Sequence, residues 1–380
     1  MSEAPVPGDR PRRLVVFMAD VMGGGAERMT VAIANGMAER GMSVELVLAA
    51  AQGPYLSEVA KSVQLVDLGV GAVSKAVLPL ARHLRRSRPD VLLTTLPHTN
   101  VVAVAAARLS GANVPTVVRE AITPRRGSRQ GASFMSRLSH LLAPLTYRLS
   151  AGAIAVSDGV KDAMVDVLGV PPEKIAALYN PIVTPELFEK AAEDPGHPWF
   201  APGQPPVVLG VGSLSARKDF RTLIQAFATL DHPDARLVIL GEGPERPALE
   251  AQVEELGLSE RAALPGFAPN PFAYMSRAAV YVMSSRLEGL PGTLVQALAC
   301  GCPAVSTDCP SGPREVLRDG EVGPLVPVGD AAAMSRAIAE TMARPPEREH
   351  LVAAVERYDA GRVLDATHEY LTRIAGGWRA

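Results

Sequence analysis

Short apolar runs alternate with amphipathic stretches along nearly the whole chain, the pattern of strands buried on both faces and of helices that cover them. In the first half, residues 14–19, 44–50, 62–68, 90–96, 116–120, 152–157 and 174–179 predict strands. Between the first two, residues 26–40 carry helical periodicity that stops at Gly41. The second half repeats the rhythm, with strands expected near 206–212, 235–240, 279–284, 303–307 and 324–328. Such alternation implies a parallel sheet with helices on both faces, here twice. Between the halves, prolines at 181, 185, 195, 198, 202, 205 and 206 read as a linker rather than an element.

The expected layout is an α/β chain of two doubly wound, Rossmann-like domains. The first spans residues 1–185, a linker covers 186–205, and the second spans 206–361; a C-terminal helix, about 362–380, is expected to pack back on the first. Ligands of such sheets belong at the carboxyl ends of the strands, so a cleft between two facing domains is the expected site.

Composition narrows the classes. At 380 residues and 47% hydrophobic, the chain can bury two cores. The apolar stretch Val91 to Ala107 is interrupted by Pro97, His98 and Asn100, too early for a membrane span. The run after Arg12 and Arg13 is too short for a signal sequence, so a cytoplasmic chain is expected, with room for contact at a membrane surface. Residues 1–190 hold 21 Lys/Arg against 16 Asp/Glu, and residues 191–380 hold 17 against 24, which suggests a polar or anionic partner on one side only. The net charge of −2, with 4% aromatics and no basic run interleaved with rings, argues against nucleic acid. Cys300, Cys302 and Cys309 lack the second pair or nearby His that a zinc site needs, and read as buried apolar side chains.

The turns after the strands carry the chemistry. After the first strand comes Asp20-Val21-Met22-Gly23-Gly24-Gly25-Ala26-Glu27-Arg28, whose glycines would let backbone N–H groups approach a diphosphate at a helix N-terminus, or serve only a tight turn. After the first strand of the second half comes Gly212-Ser213-Leu214-Ser215-Ala216-Arg217-Lys218, which puts two cations where a phosphate would bind. Gly241-Glu242-Gly243 and Pro265-Gly266-Phe267 end strands with turns suited to holding a flat base and its ribose. Ser284 to Pro303, with Glu288-Gly289-Leu290-Pro291-Gly292-Thr293 ahead of an apolar helix, sets a carboxylate and a glycine turn at a helix N-terminus. Arg119, Arg125, Arg126, Arg129, Arg137 and Arg148, with Phe134, Met135, Leu138, Leu141 and Leu142 among them, make residues 119–148 a basic, partly apolar segment suited to an inner-membrane surface, or to packing on its own domain.

Taken in order, these motifs, with Ala297-Leu298-Ala299-Cys300-Gly301 and Gly323-Pro324-Leu325-Val326, resemble glycosyltransferase family 4 over nearly the whole chain. Residues Ser306 to Glu315 are similar to a bacterial subgroup acting on lipid-linked glycans or surface polysaccharides. The resemblance implies the GT-B fold and retention of anomeric configuration. It implies a nucleotide-sugar co-substrate, UDP-linked in preference to GDP-linked, a glycan or lipid-linked acceptor, and no further cofactor.

It also assigns roles. Glu288 would lie by the donor sugar as the first carboxylate of an E-x7-E motif, with the backbone of Gly289, Leu290, Pro291, Gly292 and Thr293 near sugar and phosphate. Lys218 would hold the diphosphate, with Gly24 and Gly25 covering it from the first domain; Ser213, Arg217, Gly241 and Phe267 complete the donor site. Where the family has a second glutamate this chain has Gln296, where an arginine follows Gly212 it has Ser213, and where many relatives have a histidine it has Arg119-Glu120-Ala121. Glu120 and His98 are therefore the candidate catalytic groups of the first domain. No Asp-x-Asp pair occurs in the sequence, so a metal-free site is expected, with cations and helix ends meeting the phosphate charge. Two further classes stay open: a non-catalytic sugar-nucleotide-binding partner of an active transferase, and a sugar-nucleotide isomerase.

Overall fold

The structure is a computed structural model that describes residues 12–22, 24–124 and 134–377, with 134–140 by backbone alone. The described residues divide into two compact units, one drawn from Met1–Val156, Val160–Pro181 and Gly361–Ala380, the other from Ser157–Gly159 and Ile182–Ala360.

The first unit holds a seven-stranded sheet of β1 (Arg13–Met18), β2 (Ser43–Leu48), β3 (Gln64–Asp67), β4 (Val91–Thr95), β5 (Thr116–Glu120), β6 (Gly152–Ala155) and β7 (Ile175–Ala177). Its order is β3-β2-β1-β4-β5-β6-β7, and every pairing is parallel. Period-2 geometry sends Leu14, Val16 and Met18 into one apolar layer and Val15 and Phe17 into the other, so both faces of β1 are covered. The C-terminal helix Ala360–Gly377 closes the first layer through Leu364, Tyr370 and Leu371. Tyr370 OH donates to Ala153 O at 3.2 Å, over a strand residue, Gly152, where a Cβ would stand 2.3 Å from that hydroxyl.

The second unit holds a six-stranded sheet of β8 (Val207–Val211), β9 (Arg236–Leu240), β10 (Ala262–Gly266), β11 (Val280–Met283), β12 (Ala304–Thr307) and β13 (Leu325–Val326), again parallel, in the order β10-β9-β8-β11-β12-β13. Val208, Leu223, Phe227, Ile239, Met334 and Ile338 sit in one of its apolar layers.

The linker reading of 186–205 is corrected. Pro185–Ala192 is a helix, capped where Thr184 Oγ1 accepts from Leu187 N at 3.2 Å, with Pro185 in its first turn and Leu187 and Ala191 buried. Proline at the first helical position removes an N–H that has no helical acceptor anyway, so it starts this helix instead of breaking it. The segment belongs to the second unit.

Candidate active site

In each sheet the strand order reverses beside the first strand, at β1 and β4 in one and at β8 and β11 in the other. Such a switch point leaves the turns on either side diverging, which is where doubly wound sheets bind ligands. In the second unit the turn after β8 carries Arg217 and Lys218, and the turn after β11 carries Glu288. Backbone bonds tie the turns together: Arg286 N donates to Arg217 O at 2.8 Å, and Ser284 Oγ to Lys218 O at 2.8 Å.

Glu288 is buried and fully engaged. Lys218 Nζ stands 2.7 Å from Oε1, Ser285 Oγ donates to the same oxygen at 2.7 Å, and Arg217 Nη1 reaches Oε2 at 3.0 Å and Leu287 O at 3.1 Å. Burial pushes the carboxyl up, but the charges of Lys218 and Arg217 and the bonds from Lys218 and Ser285 outweigh it, so Glu288 is held below the ordinary carboxylate range. It is an anion at neutral pH. Thr307 Oγ1 fixes the turn from below by donating to Ser285 O at 2.6 Å.

The neighbouring turns are packed backbone to backbone. Gly241 has φ +140°, and a Cβ there would stand 1.9 Å from Gly212 O, so no larger residue fits. Ser213 is exposed, its Oγ 3.3 Å from Ser215 Oγ. Leu290 and Pro291 are buried, and Gly289 O accepts from Ser311 Oγ at 3.0 Å. The helix Gly292–Ala299 follows; its first N–H groups, on Gly292 and Thr293, have no acceptor within the helix. Thr293 Oγ1 accepts from the buried Tyr281 at 2.7 Å. Gln296, three positions on and on the same helix face, is half-buried.

Beyond β9 and β10 lies a pocket of about 290 Å³ lined by Leu240, Pro265, Gly266, Phe267, Asn270 and Tyr274, among others. The Phe267 ring is exposed.

The first unit holds its candidates at the carboxyl ends of β1, β4 and β5. Gly24 precedes and Gly25 opens the helix Gly25–Glu39 after β1; Gly23 lies outside the described residues. A Cβ on Gly24 would meet the Glu27 carboxylate at 2.2 Å, so the room this glycine leaves is filled by Glu27 turning back over the helix start. His98, half-buried in the first turn of Pro97–Ser110 after β4, is pushed below the ordinary histidine range by burial, against the opposing charge of Asp20. It thus shares the β1/β4 switch point with the glycine turn. Glu120 ends β5 and is buried beneath the helix Phe134–Leu149, where Tyr147 OH donates to its Oε2. Burial pushes its carboxyl up to about 7, although the bond from Tyr147 acts the other way.

Arg119 corrects an expectation. Read as a surface cation, it is fully buried because both faces of the sheet are covered; its Nη2 donates to Asn180 Oδ1, and Nε and Nη1 have no hydrogen-bond partner among the described residues. Arg125, Arg126 and Arg129 lie outside the described residues, as do the side chains of Arg137, Phe134, Met135 and Leu138. The three cysteines are buried and unbridged, and no group of metal-ligating side chains occurs among the described residues.

Ser285, Tyr147 and Asn180 were not singled out from sequence. Ser285 had a signal, the S-x-x-E spacing to Glu288 that lets a hydroxyl reach a carboxylate three residues on. Tyr147 and Asn180 had none, being 27 and 61 residues from the groups they bind.

Residues 197–357 match the family described as glycosyl transferases group 1, and residues 23–185 match glycosyltransferase family 4. The N-acetylgalactosamine-N,N'-diacetylbacillosaminyl-diphospho-undecaprenol 4-alpha-N-acetylgalactosaminyltransferase of Campylobacter jejuni is 34% identical over 245 residues, 64% of this chain and 65% of that protein's length. The lipopolysaccharide core biosynthesis glycosyltransferase LpsE of Rhizobium meliloti is 29% identical over 84% of this chain and 86% of its own. Among solved structures, Anabaena HepE in complex with UDP shares the fold at a TM-score of 0.74 and 20% identity, over 95% of this chain and 99% of its own. With two parallel Rossmann-like sheets, the GT-B arrangement of its structural relatives, the chain belongs to glycosyltransferase family 4.

Proposed function

We propose that the protein is a retaining, metal-independent glycosyltransferase that moves a sugar from a UDP-linked donor to a glycan or lipid-linked acceptor in cell-surface polysaccharide or glycoconjugate assembly. The observation that carries the reading is the buried Glu288, held ionised by Lys218 and Arg217 at the switch point of the second sheet, one turn ahead of a helix N-terminus. The names of the Campylobacter and Rhizobium relatives support the acceptor class, and the UDP complex of HepE supports the base.

In this reading the diphosphate lies against Lys218, Arg217 and the first N–H groups of Gly292–Ala299, which stabilise the charge that develops as it leaves. The acceptor hydroxyl attacks the anomeric carbon on the face the diphosphate leaves; the sugar–phosphate bond breaks, and the hydroxyl proton passes to the departing phosphate oxygen. Glu288 stabilises the positive charge that builds on the sugar ring. The base takes the pocket beside Phe267, and the ribose falls to Gln296, whose amide oxygen can accept one hydroxyl bond. His98 and Glu120 remain the proposed groups of the first unit, His98 as a neutral imidazole.

A panel of UDP- and GDP-sugars tests the reading. Slow release of free UDP from one UDP-sugar is the expected result. Tight binding without release would replace it with a non-catalytic sugar-nucleotide-binding partner, and a changed sugar on an intact diphosphate with an isomerase.

A further inference from the structure

Three exposed leucines of the first unit form a row. On the helix Phe134–Leu149, Leu141, Leu145 and Leu149 are 75%, 55% and 37% exposed, and a spacing of four sets them along one face. Ala143, Thr146 and Tyr147, on the opposite face, are buried. Leu109, 63% exposed, lies at the end of the neighbouring helix Pro97–Ser110, and Arg108 Nη2 donates to Leu149 O at 3.0 Å, which brings the two helix ends together. Cations gather at this end. Besides Arg108 there is the exposed Arg148, and Lys174, whose Nζ donates to Arg148 O at 2.9 Å and to Ser150 O at 3.3 Å.

Carboxylates are almost absent. Between Asp90 and Asp158 the sequence has seven arginines and one acid, Glu120, which is buried beneath Tyr147. Beyond that stretch, Glu173 lies exposed beside Lys174. An apolar row without acids, rimmed by cations, has the chemistry of an interfacial lipid contact, with leucines entering the acyl boundary and cations meeting headgroup phosphates. A second copy of the chain fits less well, because a symmetric contact through this face would set the same cations against each other. No helix of the described residues is long and apolar enough to cross a membrane, so the contact lies along its surface.

We propose that the face made by Leu141, Leu145, Leu149 and Leu109, with Arg108, Arg148 and Lys174, docks the protein on an anionic lipid bilayer. It differs from the segment expected from sequence: Arg119 takes no part, and the leucine row, not the arginine count alone, defines it. It goes beyond the transfer reading and makes no use of the donor site.

Flotation of the full chain with vesicles of phosphatidylglycerol and phosphatidylcholine, against phosphatidylcholine alone, tests it. The wild type should float with the anionic vesicles at low salt and far less with the neutral ones. Leu141→Ser with Leu145→Ser should cut partitioning at least about tenfold, and Arg148→Gln about fivefold. All three substitutions are at exposed positions, so unfolding midpoints and UDP binding by calorimetry should stay at wild-type values; UDP binding reads the transfer proposal separately. A wild type that stays in solution with anionic vesicles would overturn the proposal. So would a leucine double variant that floats like the wild type, or a dimer in sedimentation that the double variant converts to monomer without any flotation of either.

Discussion

Lys218 Nζ lies 2.7 Å from Glu288 Oε1, joining the turn after β8 to the turn after β11 across 70 residues of sequence. Both side chains are largely withdrawn from solvent, so the pair fixes the charge state of the site as well as its shape. Arg217 and Ser285 complete the shell, so that each carboxylate oxygen is met by at least one donor. In the proposed reading, a cation already neutralised by a carboxylate has to be shared with an incoming phosphate, and that competition would set how firmly the donor is held.

Lys218→Ala should therefore act twice. Removing one partner of a buried pair leaves Glu288 on Arg217 and Ser285, and the protein should lose about 2 kcal/mol of stability in urea unfolding. Affinity for UDP should fall by roughly 1.5–3 kcal/mol in calorimetry, because a charge-assisted bond to phosphate is lost. Wild-type values of both would assign Lys218 to the structure of an unrelated surface.

Glu120 and Glu288 titrate in opposite directions. The Glu288 carboxyl is held below its unfolded value of 4.5, so its contribution to stability is present above that pH and is lost only as pH falls through the lower folded value. Glu120 is pushed up to about 7, so between about 4.5 and 7 the folded state binds the extra proton, and stability falls as pH rises through that window. Glu120→Gln keeps an acceptor for Tyr147 and removes the charge. At pH 8 it should be more stable than the wild type by on the order of 2 kcal/mol, with the gap closing toward pH 5. Urea unfolding at the two pH values checks this; parallel pH profiles would mean that Glu120 is ionised at little cost.

Gly241→Ala tests the close approach of the turns after β8 and β9. With φ at +140° and the new Cβ at 1.9 Å from Gly212 O, either the turn moves or the substitution costs about 3 kcal/mol or more. Loss of folding or of UDP binding is expected, and a variant of wild-type stability would contradict the packing.

Gln296→Glu restores the carboxylate that the family's motif has eight residues after Glu288. If Gln296 meets the ribose, the variant should change the donor KM and leave kcat within a few fold. A large change in kcat alone would put residue 296 nearer the reacting carbon.

The doubly wound pattern was legible because strands such as Leu14-Val15-Val16-Phe17-Met18, buried on both faces, are unbroken apolar runs. Of β10 only the end was read, as the turn Pro265-Gly266-Phe267, and no range was expected for it: Ala262-Ala263-Leu264-Pro265-Gly266 is short, contains a proline, lies at the sheet edge and pairs with a register shift. Thr184-Pro185 was read as linker because proline counts show breaks more readily than helix starts. Glu288 and Lys218 were both singled out from their turns, but their pairing depends on β8 lying beside β11, which no local pattern encodes. Arg119 was counted with a basic surface segment and Glu120 as a catalytic candidate; only the layers on both sides of β5 show both to be buried.

The most direct test of the active-site account is turnover by Glu288→Gln, measured as UDP release from the UDP-sugar that the wild type uses. Glutamine keeps the size of the side chain and removes the charge, so UDP binding should persist while kcat falls at least a hundredfold, through lost stabilisation of the charged sugar in the transition state. A Glu288→Gln protein with wild-type kcat would show that the reaction takes place elsewhere in the molecule.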